Sequence, residues 1–237
     1  MSAAGPDLLL EAVKEGRVDA VERMLDESPA LLEESPEGRT SPILLALYYR
    51  HPEVAAVFVR RGAKLDVFEA AALGDSARLA ELLADDPSRA DAFAADGFFP
   101  LGLAAFFGRR GAVRTLLDAG ADVHAEARNG MRVQALHSAA AAHDAEIVRA
   151  LLESGADPNA AQQAGYRPLH EAAGQGDAEI AHLLLEAGAR LDLGNDDGKT
   201  PRDLAIEKGH GDLVARLEAA AAADRPAGSP RGETEAK

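Results

Sequence analysis

The stretch Gly165 to Ala189, GYRPLHEAAGQGDAEIAHLLLEAGA, decides how the rest of the chain is read. Pro168 suits a helix start, because a first-turn residue has no intrahelical N–H bond to lose and its ring presets a helical φ. Gly176 separates two apolar-periodic runs and can take φ > 0, so one helix stops there and an antiparallel one begins. In the second run Ile180, Leu184 and Leu185 lie on one face. Gly188 ends it. The unit is a helical hairpin.

Outward from this unit, the turn residue recurs at Gly16, Arg50, Gly74, Gly108, His143, Gly176 and Gly209, in steps of 34, 24, 34, 35, 33 and 33 residues. Eight and nine residues beyond each turn lie Met24-Leu25, Phe58-Val59, Leu82-Leu83, Leu116-Leu117, Leu151-Leu152 and Leu184-Leu185, pairs expected to face the next unit. The seventh unit has Leu217-Glu218, whose charge suits the outer face of a terminal cap.

Pro168-Leu169-His170, Ala172-Ala173, Gly176-Asp177, Leu184-Leu185 and Gly188-Ala189 together resemble the ankyrin repeat, with its T-P-L-H-x-A pattern and period of about 33 residues; only the Thr is missing, replaced by Arg167. The resemblance implies an all-α solenoid of about seven helix-turn-helix repeats with short hairpin fingers. It also implies that His137 and His170, at the T-P-L-H histidine, link neighbouring hairpins through hydrogen bonds and have no catalytic role. The segments Phe68–Asp75 and Asp96–Gly108 narrow the likeness to small stand-alone bacterial ankyrin proteins.

The first and third repeats open directly on a helix, without a preceding finger, and both end in an acidic-Pro segment around Pro29 and Pro87. Because Gly16 and Gly74, like Arg50 and Gly108, are 58 residues apart, a duplicated two-repeat block is inferred. The expected organisation is a disordered N-terminus over 1–6, a first two-repeat module over 7–66, and a second over 67–125. Three further repeats with a C-terminal cap follow over 126–222, and then a disordered tail over 223–237. The absent finger predicts a bend or gap near residues 63–70. The fifth repeat carries two extra residues between Gly130 and its turn, so its finger should be longer.

Composition narrows the function. Net charge is −15, a field that repels phosphate backbones and anionic lipid, so neither nucleic acid nor a membrane is expected as partner. The chain has no cysteine, which removes disulfides, thiolate zinc sites and Cys nucleophiles. The N-terminus lacks the basic start of a signal peptide, and no apolar run approaches the roughly 20 residues that span a bilayer. A cytoplasmic monomer is the expectation. His51, His124, His143, His182 and His210 show no metal-ligand spacing. The DLGNDDG run from Asp192 fits no register of a calcium loop and reads as a finger. With no catalytic constellation, an enzyme is not expected, and no cofactor or metal is implied.

The expected function is a non-enzymatic scaffold that binds a protein partner on the concave face of the array. An alternative is an inhibitory or regulatory subunit that blocks a single basic enzyme or toxin, steered by the negative charge. In ankyrin folds the two residues before the hairpin turn, and the residue before the Thr, point into the concave face. Nine of the ten aromatics lie between Tyr48 and Phe107. Tyr48, Tyr49, Leu73, Phe98, Phe106, Phe107 and Tyr166 are therefore the candidate partner-binding residues, either as one exposed apolar patch or as rings turned inward to fill the space of the missing finger. Pro168, Leu169, His170, His137 and Gly176 are structural.

Overall fold

A computed structural model describes residues 5–32 and 40–223, and among them contains fourteen α-helices and no strand. The expected tail falls mostly outside these residues. By contacts the chain divides into a first unit up to Asp157 and a second from Pro158, so both expected module boundaries, after 66 and after 125, fall inside the first unit.

In the first unit the helices pair as α1 (Pro6–Lys14) with α2 (Val18–Glu27), α3 (Pro42–Tyr48) with α4 (Pro52–Arg60) and α5 (Val67–Leu73) with α6 (Ser76–Asp85). The last two pairs are α7 (Pro100–Phe106) with α8 (Arg110–Asp118) and α9 (Ala135–Ala141) with α10 (Ala145–Glu153). The odd-numbered helices pack in sequence, α1 on α3 through to α9. In the second unit α11 (Pro168–Gln175) pairs with α12 (Ala178–Glu186), α13 (Pro201–Glu207) pairs with α14 (Gly211–Ala223), and α11 packs on α13. Helix α1 begins at Pro6, one residue before the expected start of the first module.

Each of the seven turn residues has a left-handed backbone, with φ from +56° at His143 to +82° at Gly74. This is the conformation that lets a short helix end and its partner start antiparallel. Five of the seven are glycine; Arg50 and His143 hold it with a side chain.

Burial in the second helices corrects the paired-leucine reading. Phe58, Leu116, Leu151 and Leu184 are buried, while their following partners Val59, Leu117, Leu152 and Leu185 are half-buried or exposed. In the first repeat Leu25 rather than Met24 is buried, and in the third both Leu82 and Leu83 are. In the other four pairs one position fills the core, because two adjacent helical residues point about 100° apart. Leu217 keeps this rule with 1% exposure, and Glu218 stands where the outer partner would. The cap is made at the second position alone.

The first and third repeats share further features. Their second helices run ten residues rather than nine, and Pro29–Leu32 and Pro87–Asp91 form short 3₁₀ turns after them. Without a finger, α5 starts at once from a capping box: Asp66 accepts from the Glu69 N–H and Glu69 accepts from the Asp66 N–H. At this joint α3 meets α5 over a shorter stretch than α5 meets α7. A cleft of about 130 Å³ opens beside it, lined among others by Leu32, Phe58, Ala63 and Glu69.

Candidate protein-binding face

The fingers are each closed by a backbone bond between residues four apart, Ala94 N–H to the Phe98 carbonyl, Gln162 to Tyr166 and Asn195 to Lys199, with a tighter turn bond inside each from Gly97, Gly165 and Gly198 N–H. In the fifth repeat Ala127 N–H bonds instead to the Val133 carbonyl, six residues on, so the two extra residues lengthen this finger. Neighbouring fingers join through Arg128 N–H to Gly97 and Asp196 N–H to Ala164.

In four of the repeats a side chain at position N3 of the first helix accepts the N-cap N–H. Glu69 does this in α5 and Asp203 in α13, whereas in α9 and α11 the acceptor is the Nδ1 of His137 and of His170. With Nδ1 accepting from Arg167, the Nε2–H of His170 donates to the Lys199 carbonyl at 3.0 Å, joining one finger to the next. Burial, the largest influence, lowers the pKa of this imidazole. Pro168 and Leu169 are buried beside it, and Gly176 closes the helix at φ +74°. Arg167, in the place of the Thr, sends its guanidinium to the carbonyls of Gly165 and Gly194 and so links two fingers.

Of the candidate aromatic residues, Tyr48, Tyr49, Phe106 and Phe107 stand at the ends of α3 and α7, set there by the left-handed Arg50 and Gly108 that follow, while Phe98 and Tyr166 stand in fingers. Tyr48 and Phe107 belong to the second and fourth repeats, yet their ring centroids lie 5.7 Å apart. Tyr48 also meets Phe98 at 6.3 Å and donates to Asp96 Oδ2 at 2.9 Å. Two features make this reach across α5 possible. The third repeat has no finger, and its last helical turn offers only Ala72 and the half-buried Leu73. Burial first, and then the Asp96 carboxylate, push the Tyr48 phenol well above its ordinary range, so it remains a donor.

The expected patch therefore divides. Tyr48, Phe98 and Phe107 pack together and are half-buried, whereas Tyr49 and Phe106 are 49% and 50% exposed. Phe106 stands edge-on to Phe107 at 5.0 Å. Tyr48, Phe106 and Phe107 line an open groove of about 400 Å³ with Leu47, Arg50, Gly108, Ala141 and Ala142. Tyr49, Leu73 and Phe98 are not in its lining. Tyr166 belongs to the second unit, where its ring packs on His170 at 5.8 Å. Asp96 and Arg50 were not among the expected site residues. For Arg50 a signal existed, an arginine where most turns carry glycine; for Asp96 none did.

Among the described residues no group of His, Asp or Glu is arranged to hold a metal ion, and no helix is long and apolar enough to cross a membrane. No curated protein matches the chain. A family model described as ankyrin repeats in three copies matches residues 136–224, and one described as a single ankyrin repeat matches residues 96–128, together more than half of the chain. With its helical hairpins, left-handed turns and cross-linked fingers, the chain belongs to the ankyrin-repeat family, whose repeats are protein–protein interaction modules.

Proposed function

We propose that this is a non-enzymatic scaffold of the cytoplasm, and that its first unit holds a protein partner on the face made by the last turns of α3, α7 and α9. In ankyrin arrays this is the concave face. The observation that carries the reading is Phe106: a phenylalanine half exposed beside an open groove, propped edge-on by Phe107. Large exposed rings on a rigid support are the usual anchors of interfaces. The test is affinity capture from the native cell with wild type, Phe106→Ala and, as control, Val59→Ala, an exposed apolar residue on α4. A partner retained by wild type and by the Val59 variant but lost by the Phe106 variant, with the melting temperature unchanged, is the expected result. Equal capture by all three would remove the proposal.

The net charge of −15 favours a second reading, an inhibitory subunit drawn to a basic enzyme or toxin. That reading requires the association rate with the captured partner to fall steeply with salt.

A further inference from the structure

Arg50 stands out in two ways. It occupies a left-handed turn at φ +63°, a conformation that five of the other six turns, excepting His143, reach with glycine. Its guanidinium side chain is exposed, and it lines the groove beside Tyr48, Phe106 and Phe107. Among the described residues it has no ion pair. The same holds for Arg23, Arg109, Arg114, Arg128 and Arg149 of this unit, but none of those lines the groove, whereas Arg17, Arg60, Arg61, Arg78, Arg89, Arg110 and Arg132 each reach a carboxylate. A side chain kept where the backbone favours glycine, and without an internal partner, points to a use outside the chain.

The rest of the lining is Leu47, Tyr48, Phe106, Phe107, Gly108, Ala141 and Ala142, so Arg50 is the only charged side chain there. Arg50 is thus the one cation of the lining in a molecule of net charge −15, and the Asp96 carboxylate that touches the lining is held by the Tyr48 hydroxyl. The two signs do not cancel at contact, because exposed charges are screened beyond roughly 8 Å at physiological salt. At the groove the nearest charge decides. Arginine's planar fork matches a carboxylate with two parallel hydrogen bonds, and a single arginine, unlike an arginine cluster, suits one carboxylate rather than a phosphate.

Resting on the reading of this face as the binding face, we propose that the groove takes a partner segment in which an Asp or Glu neighbours an aliphatic or aromatic side chain. The apolar side chain lies against Phe106, Phe107 and the alanine floor of Ala141 and Ala142. The carboxylate pairs with Arg50.

The test uses the full chain and three acetylated, amidated peptides of sequence Phe-Leu-X-Leu, with X as Glu, Gln or Lys, followed by NMR titration. The Glu peptide is expected to bind about tenfold more tightly than the Lys peptide, with shifts centred on Arg50, Phe106 and Phe107. That ratio should shrink towards one at about 1 M salt, where screening reaches roughly 3 Å. Arg50→Gly should fold at least as stably as wild type and erase the preference for Glu, leaving the apolar shifts. Equal binding of the Glu and Lys peptides, a preference for Lys, no shift in the groove at millimolar peptide, or a Glu preference surviving in Arg50→Gly would each overturn the inference. The broader reading of the face fails separately, through unchanged partner capture by Phe106→Ala.

Discussion

The Tyr48 hydroxyl donates to Asp96 Oδ2 at 2.9 Å across 48 residues of sequence, from the end of the second repeat's first helix to the finger of the fourth. The intervening repeat has no finger of its own between them. The same bond holds the ring on which Phe107, and through it Phe106, is set.

Tyr48→Phe removes this bond and keeps the ring, so it should lower the stability of the first unit by about 1 kcal/mol, the usual net worth of one hydrogen bond. Tyr48→Ala, which also loses ring packing, should cost more. Urea unfolding of the two variants separates the contributions. Equal losses would mean that the hydroxyl carries the whole effect.

Leu151 and Leu217 are 0% and 1% exposed. Truncation to Ala should cost on the order of 2–5 kcal/mol at either site. The terminal position of Leu217 gives no relief, because its own face is covered and only the neighbouring Glu218 looks outward. Chemical denaturation of the two variants tests this, and a negligible loss for Leu217→Ala would show that α14 frays without consequence.

His170 is a base whose pKa is lowered by folding, chiefly through burial. On acidification the unfolded chain protonates first, near the ordinary imidazole value of about 6.5. The second unit should therefore keep its full stability above that pH, lose stability as the pH falls from there to the folded-state value, and level off below it. In His170→Gln this part of the pH dependence of unfolding should vanish, while any part due to other groups stays.

Gly165 and Gly188 both have left-handed backbones, at φ +71° and +92°, but differ in surroundings. A Cβ on Gly188 would meet nothing within 4 Å, whereas one on Gly165 would lie 2.9 Å from the backbone nitrogen of Asp196. Gly188→Ala should cost about 1–2 kcal/mol from backbone strain alone. Gly165→Ala should cost more, and hydrogen exchange should show the Asp196 amide losing its protection. Equal costs would show that the fingers can separate freely.

What the amino-acid sequence determined by itself is the turns and finger lengths set within one repeat. The seven turns were legible because a left-handed residue between two apolar-periodic runs is a local steric requirement, met even where Arg50 and His143 stand in for glycine. The longer finger of the fifth repeat was legible because two added residues must go somewhere, and the loop is where they cost least. Tertiary structure alone decided which aromatic rings look outward. Tyr48 and Tyr49 are neighbours in sequence and identical in kind, yet one turns to Asp96 and Phe107 while the other stays in solvent. Their difference depends on the absence of a finger one repeat further along and on the position of a carboxylate 48 residues away. Both are consequences of stacking rather than of any pattern that a single repeat contains.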